Sequence, residues 1–118
     1  NEKLVKTIMS SSLTRTIAYK MVAGFAKDEL FSGVTTIRTV GGLGNFDTRL
    51  RDEIESGTKL GPRILAANQG ISVPGGHMAG SVAVAASTIP DALKQLEKAK
   101  QEKVDLIKLM ITGGVLFC

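Results

Sequence analysis

Lys108 is the residue whose chemistry is hardest to reconcile with its neighbours. It stands in Val104-Asp-Leu-Ile-Lys-Leu-Met-Ile111, a nearly continuous apolar run of strand length. In a parallel sheet covered on both faces, an ammonium group there would be poorly solvated. A lysine so placed sheds its proton, pairs with a carboxylate or is chemically altered, and a neutral lysine amine is a nucleophile. A lysine on an edge strand, snorkelling toward the rim, is the alternative. His77 follows Gly75 and Gly76, whose lack of side chains lets the backbone approach a ligand closely. An imidazole there can bind a metal, donate a hydrogen bond or shuttle a proton, and an exposed loop histidine is the plainer reading. Arg38 suits an anion clamp or an ion pair inside the sheet, and the structural role is favoured. Gly42-Leu-Gly44-Asn-Phe-Asp47 begins like a dinucleotide fingerprint, but Asp47 occupies the third glycine position. The helix behind it is short and no acid closes a second strand ~20 residues on, so a nucleotide or phosphate site is disfavoured.

The elements that would position these residues follow from periodicity. Leu13, Ile17, Met21 and Phe25 recur at i+4, the stripe of an amphipathic helix, with Ser11 or Ser12 at its start and Gly33 at its end. Val34–Val40 is β-branched and strand-like, ended by Gly41-Gly42. Asp47–Ser56 reads as a short helix with Leu50 and Ile54 inward, and Arg63–Ala67 as a second strand. Gly70–His77 reads as a turn-rich loop, and the small-residue stretch Ala79–Ser87 as a further loop. Thr88-Ile-Pro-Asp91 starts a third helix whose buried face is marked by Leu93, Leu96 and Ala99. The strand containing Lys108 then ends at Thr112-Gly113-Gly114. Helix and strand alternate three times, which predicts an α/β fold with a parallel sheet and right-handed crossovers. In such folds ligands collect at the carboxyl ends of the strands, so all three glycine pairs (41–42, 75–76, 113–114) are expected on one rim.

Composition narrows the function classes. The chain has 118 residues, 43% of them hydrophobic, with mean hydropathy +0.14, which excludes a disordered or low-complexity segment. No apolar run approaches the roughly 18 residues of a membrane span, and residues 1–12 lack the apolar core of a secretory leader. The formal charge is +4, but Glu97 and Glu102 interrupt the lysines of residues 94–103, as on a solvated helix face. With no Trp and one Tyr there is little for bases to stack on, so nucleic-acid binding is rejected. The lone Cys118 excludes an internal disulfide, so the compartment is undetermined, with the cytoplasm slightly favoured. A single histidine is a sharper bound, because a hydrolytic zinc site usually needs two or three imidazoles.

Taken together, Gly33-Val-Thr-Thr-Ile-Arg-Thr-Val-Gly-Gly42, Gly61-Pro-Arg-Ile-Leu65 leading to Gly75-Gly76-His77, and Ile107-Lys108-Leu-Met-Ile-Thr-Gly-Gly114 resemble the metal-dependent amidohydrolase superfamily. The nearest branch holds imidazolonepropionase-like proteins and Xaa-Pro dipeptidases (prolidases). The resemblance spans about residues 13 to 115. It implies that residues 1–118 are an incomplete (β/α)8 TIM barrel, three βα units around strands two to four, without the family's β-sandwich domain. It also implies that Lys108 is carboxylated by carbon dioxide and bridges two divalent metals, usually zinc. His77, with Gly75 and Gly76, becomes a substrate contact. The implied reaction is hydrolysis of a small amide or dipeptide by a metal-activated water. The His-x-His pair after the first strand, the later histidines and the last-strand aspartate of the family are absent, and Thr39 stands where many relatives have aspartate. The isolated chain is therefore expected to be inactive. The non-enzyme alternative is an α/β oligomer or partner-binding module, because three units leave sheet edges open to a second copy or to the remainder of the barrel.

Overall fold

A computed structural model describes residues 2–112. Two helices come first, α1 (Glu2–Ser10) and α2 (Ser12–Phe31), separated by the extended backbone of Ser11. At the far end of α2 the Ser32 N–H returns to carbonyls of the last turn, and Gly33 takes a left-handed φ of 101°. There follow β1 (Thr36–Arg38), α3 (Phe46–Glu55), β2 (Arg63–Leu65), β3 (Gly70–Ser72), β4 (Ala83–Ala85), α4 (Ile89–Gln101) and β5 (Leu109–Met110). α4 begins with a reciprocal capping box between Thr88 and Asp91 and has proline in its first turn. Among the described residues no helix is long and apolar enough to cross a membrane.

The fold is mixed α/β, and every strand pairing is parallel. β1 pairs with β2, and β3 lies between β4 and β5. Backbone bonds join these short ladders. Gly42 N–H reaches Asn68 O at 2.8 Å, beyond the end of β1, and Asp105 N–H reaches Ala66 O at 2.8 Å, ahead of β5. Residues 63–72 thus form one central path, with the β1 and β5 segments on either side. β4 takes the β1 side where β1 has ended.

Asn68 reverses the side-chain alternation along this path. Ile64 faces α3 in the core, while Ile71 faces α4 in a cleft shared with Val84, Ile107 and Ala99. These two residues are an odd number apart, so an unbroken strand would put them on opposite faces. Asn68 lies between them with φ 55° and is 1% exposed. Its amide is fully used: Oδ1 accepts from Thr48 N–H at 3.0 Å, and Nδ2 donates to Thr48 Oγ1 at 3.0 Å and Glu102 Oε2 at 2.8 Å. Nearby, Arg51 donates to Asp105 Oδ2 at 2.8 Å and to Lys103 O at 2.9 Å, tying α3 to the segment that leads into β5.

The core gathers Tyr19, Ala26, Phe46, Leu50, Ile64 and Ala66 between α2, α3 and the sheet. Tyr19 meets Phe46 edge-on at 5.2 Å, gives its hydroxyl proton to Glu53, and lies under the Arg49 guanidinium at 3.9 Å. Several expectations are corrected. The i+4 stripe of α2 is not its buried face: Leu13, Ile17, Met21 and Phe25 are 51–70% exposed, and Tyr19, Val22 and Ala26 pack inward instead. On α4, Leu93 and Leu96 are exposed and no residue is buried; of the expected apolar face only Ala99, half-buried, turns to the sheet. The stretch 79–87 contains β4, and the start of the 70–77 loop is β3, because small residues let three backbones pair closely. Residues 2–10, for which no element is expected, are helical.

Replacing Asn68 with alanine should cost about 2–4 kcal/mol, since it orphans the Thr48 N–H and puts alanine into left-handed backbone that asparagine tolerates better. Asn68→Gly should cost roughly 1 kcal/mol less, because only the hydrogen bonds are lost. Urea midpoints of the two variants give the comparison, and equal losses would show that backbone conformation is not part of what Asn68 supplies.

Candidate functional site

The reversal at Asn68 turns Gly70 and Ser72 toward the sheet face opposite α4. Lys108 alternates with Ile107 and Leu109 and comes to the same face. It is half-buried, and its Cγ and the Met110 methyl would each stand 3.2 Å from a β-carbon on Gly70. Two residues further along β3 is Ser72, 3% exposed, whose Oγ has no hydrogen-bond partner among the described residues. Gly76 folds back onto that hydroxyl. A β-carbon on Gly76 would lie 2.6 Å from Ser72 Oγ and 2.9 Å from Val73 O, so this position admits glycine only. Gly75, with φ 69°, makes the turn that brings it there. His77 follows at once, half-buried, with its Nδ1 enclosed and without a described partner. Lys108 thus stands over Gly70, and His77 follows the Gly76 that packs on Ser72, two residues further along β3.

A second polar cluster lies on the helix side of the sheet, at the end of β1. Thr39 Oγ1 accepts from Ala67 N–H at 2.9 Å. The Asp47 carboxyl packs against Gly42 so closely that a β-carbon there would meet both its oxygens at 2.6 Å. Burial pushes the Asp47 carboxyl above its ordinary value, and the Thr39 hydroxyl and Asn68 backbone only partly offset that push. Its Oδ2 has no hydrogen-bond partner among the described residues. The space beside Gly42 is therefore filled by an acidic side chain, where a phosphate-binding loop presents N–H donors. Asp105 has the opposite environment: the Ala66 N–H at 2.8 Å, then the Arg51 guanidinium, hold its carboxyl below the ordinary value.

Ser72 does not stand out in the sequence as a site residue, and Asp47 enters it only as the acid at the third glycine position of the fingerprint. Each packs on a glycine four or five residues away in sequence, a contact that only the fold reveals. Arg38 is exposed and makes no ion pair among the described residues, so the expected pairing within the sheet is not found there. Gly113 and Gly114 lie outside the described residues. No group of three or more His, Cys, Asp or Glu side chains able to hold a metal occurs among the described residues. Lys108 offers one nitrogen, so these residues do not make a metal centre by themselves.

No family model matches the chain, and neither does any curated protein. Solved structures do. A "putative prolidase" from Bifidobacterium longum superposes on 76% of this chain with TM-score 0.66 and 42% identity. The chain matches a fragment of an amidohydrolase-type protein. An amidohydrolase superposes on 79% of it with TM-score 0.71 and 25% identity, and an uncharacterized protein on 85% with TM-score 0.76 and 25% identity. The chain spans only 22–27% of the length of those chains.

The two aspartates give opposite pH signatures. Asp105, with a depressed folded pKa, adds stability above its unfolded value of 3.8, and that stability is lost as pH falls through the folded value. Asp47, with a raised folded pKa, adds stability below 3.8 that is lost as pH rises through the folded value. Asp105→Asn should therefore be less stable than the parent at neutral pH and approach it in acid. Asp47→Asn should gain relative to the parent as pH rises from 3 to 7. Thermal melts across that range check both signs, and parallel pH profiles for the two variants would contradict the assignment.

Proposed function

We propose that this chain is a segment of a hydrolase that cleaves amide or peptide C–N bonds in small substrates, of the dipeptidase kind. The observation that carries this is the 42% identity over three-quarters of the chain to the Bifidobacterium longum protein described as a "putative prolidase". The placement of Lys108 over Gly70, with His77 just past the contact of Gly76 with Ser72 on the same strand, supports it. On this reading residues 1–118 are three βα units, about strands two to four, of an incomplete (β/α)8 barrel. The all-parallel pairing and the small share of the neighbours' length agree with that.

The carboxylated form of Lys108 is one ligand of a two-metal centre, zinc being the expected metal and carbon dioxide the modifying reagent. The remaining ligands come from the rest of the polypeptide. Carboxylation makes an anionic oxygen donor of an amine whose stem is half-covered by the sheet, which suits a cation-binding floor. His77 reaches the substrate, its loop pinned by the contact between Gly76 and Ser72. Bound metal ions polarise the scissile carbonyl and activate water in this class of site. The contribution of this chain is to fix where Lys108 and His77 stand.

In the longer polypeptide, Lys108→Ala should lower dipeptide hydrolysis by roughly 10²-fold or more and reduce bound zinc, as loss of a ligand does. His77→Ala should act mainly on KM. The isolated 118-residue chain should show no turnover. A panel of Xaa-Pro and other dipeptides with zinc and bicarbonate present gives the measurement. Turnover by the isolated chain would overturn its role as a part, and a longer polypeptide inert toward every C–N substrate would overturn the hydrolase reading.

A further inference from the structure

Met110 leans back along its own strand toward Lys108. The ladder pairs it with Ser72, yet its terminal methyl stands 3.2 Å from the point that a β-carbon on Gly70 would occupy, two residues earlier on β3. The Lys108 Cγ stands 3.2 Å from that same point. Two half-buried side chains of one strand therefore close on the hollow left by one glycine. The Met110 methyl also lies 3.5 Å from where a β-carbon on Gly41 would be, just past the end of β1. Gly41 has φ 133°, a conformation that disfavours any side chain there, and Gly70 is buried. The thioether thus crosses from β5 over the central path of the sheet to the end of β1. Methionine suits that span, because its side chain is long, unbranched and adaptable.

We propose that Met110 is a positioning residue for Lys108: its methyl fills the hollow between Gly70 and Gly41 and so keeps the lysine stem from lying down on the sheet. A lysine stem is a flexible run of four carbons that covers apolar surface wherever it finds some. With the hollow already occupied, the stem is held off the strand and the amine is carried outward. There the nitrogen lone pair forms a C–N bond to carbon dioxide, a C=O electron pair moves onto oxygen, and the proton leaving nitrogen passes to water. The product is the carbamate of the hydrolase reading. The inference deepens that reading and rests on it for the carboxylation, whereas the placement of the amine rests on contacts within this chain. The effect is one of shape, since a methyl group brings neither charge nor a hydrogen bond.

The test is made in the longer polypeptide at one fixed pH. Acetylation of Lys108 by a small N-hydroxysuccinimide ester is followed in the metal-free protein by peptide mass spectrometry, and the carbamate signal from carbon-13 bicarbonate is read once zinc is added. Met110→Ala should lower both by about tenfold, the scale on which groups that support a metal ligand act. Dipeptide hydrolysis should lose kcat by a similar factor with little change in KM. Adding Gly70→Ala to Met110→Ala returns a methyl group to the hollow and should restore most of each loss. Met110→Leu, too short to reach Gly41, should fall between parent and Met110→Ala, and it decides the matter if the alanine variant does not fold. Acetylation unchanged in these variants would overturn the proposal. So would losses that Gly70→Ala fails to repair, because Met110 would then act only through the stability of β5. A parent protein with neither carbamate nor hydrolysis would sink the hydrolase reading and leave the acetylation comparison standing.

Discussion

The fold turns on one left-handed residue. Asn68 lets the central path of the sheet present Ile64 to α3 and Ile71 to α4, and so turns Gly70 and Ser72 toward Lys108. A polar residue can hold that conformation inside the protein only if its amide is satisfied, and Thr48 and Glu102 supply the partners. The same bonds fasten the start of α3 and the end of α4 to the strand between them. Backbone strain, helix docking and the exposure of the Lys108 face are therefore one coupled arrangement. The Arg51–Asp105 pair works alongside it, fixing where the final strand enters.

Around this well-determined centre the periphery is unfinished. Large apolar residues on α2 and α4 face outward, and so do Leu109 and Ile111 near β5. Soluble proteins seldom expose contiguous apolar surface on this scale without a partner. The exposed residues flank both edges of a parallel sheet, an architecture normally buried on both faces. The uncovered apolar surface and the 22–27% share of the neighbours' length point the same way.

Much of the element order was legible in the sequence, and the reasons are local. Gly33 and Gly57 end helices, Pro90 and Asp91 open one, and Leu50 lies inward on α3. What escaped was long-range. The stripe on α2 is a true helical pattern, yet periodicity cannot say which of two apolar faces the present neighbours cover. Residues 79–87 lack any alternation of size or polarity, and only the pairing of Gly70 with Ala83 makes them a strand. On the site, the resemblance led to Lys108 and His77; Lys108 stands over Gly70, and His77 follows the Gly76 that packs on Ser72. The buried hydroxyl of Ser72 and the carboxyl of Asp47 carry no sequence mark of burial, because each is enclosed by backbone from elsewhere in the chain.

The packing of Tyr19 has a spectroscopic consequence. This is the sole tyrosine of a chain without tryptophan, and it is wedged between Phe46 and the Arg49 guanidinium where α2 meets α3. Near-ultraviolet signals from the protein therefore report almost entirely on that helix contact. The sole histidine follows the Gly76 turn that packs on Ser72, so its imidazole resonances report on that loop. With no labelling at all, the chain carries two separate optical and magnetic readouts, one for its core and one for its candidate site.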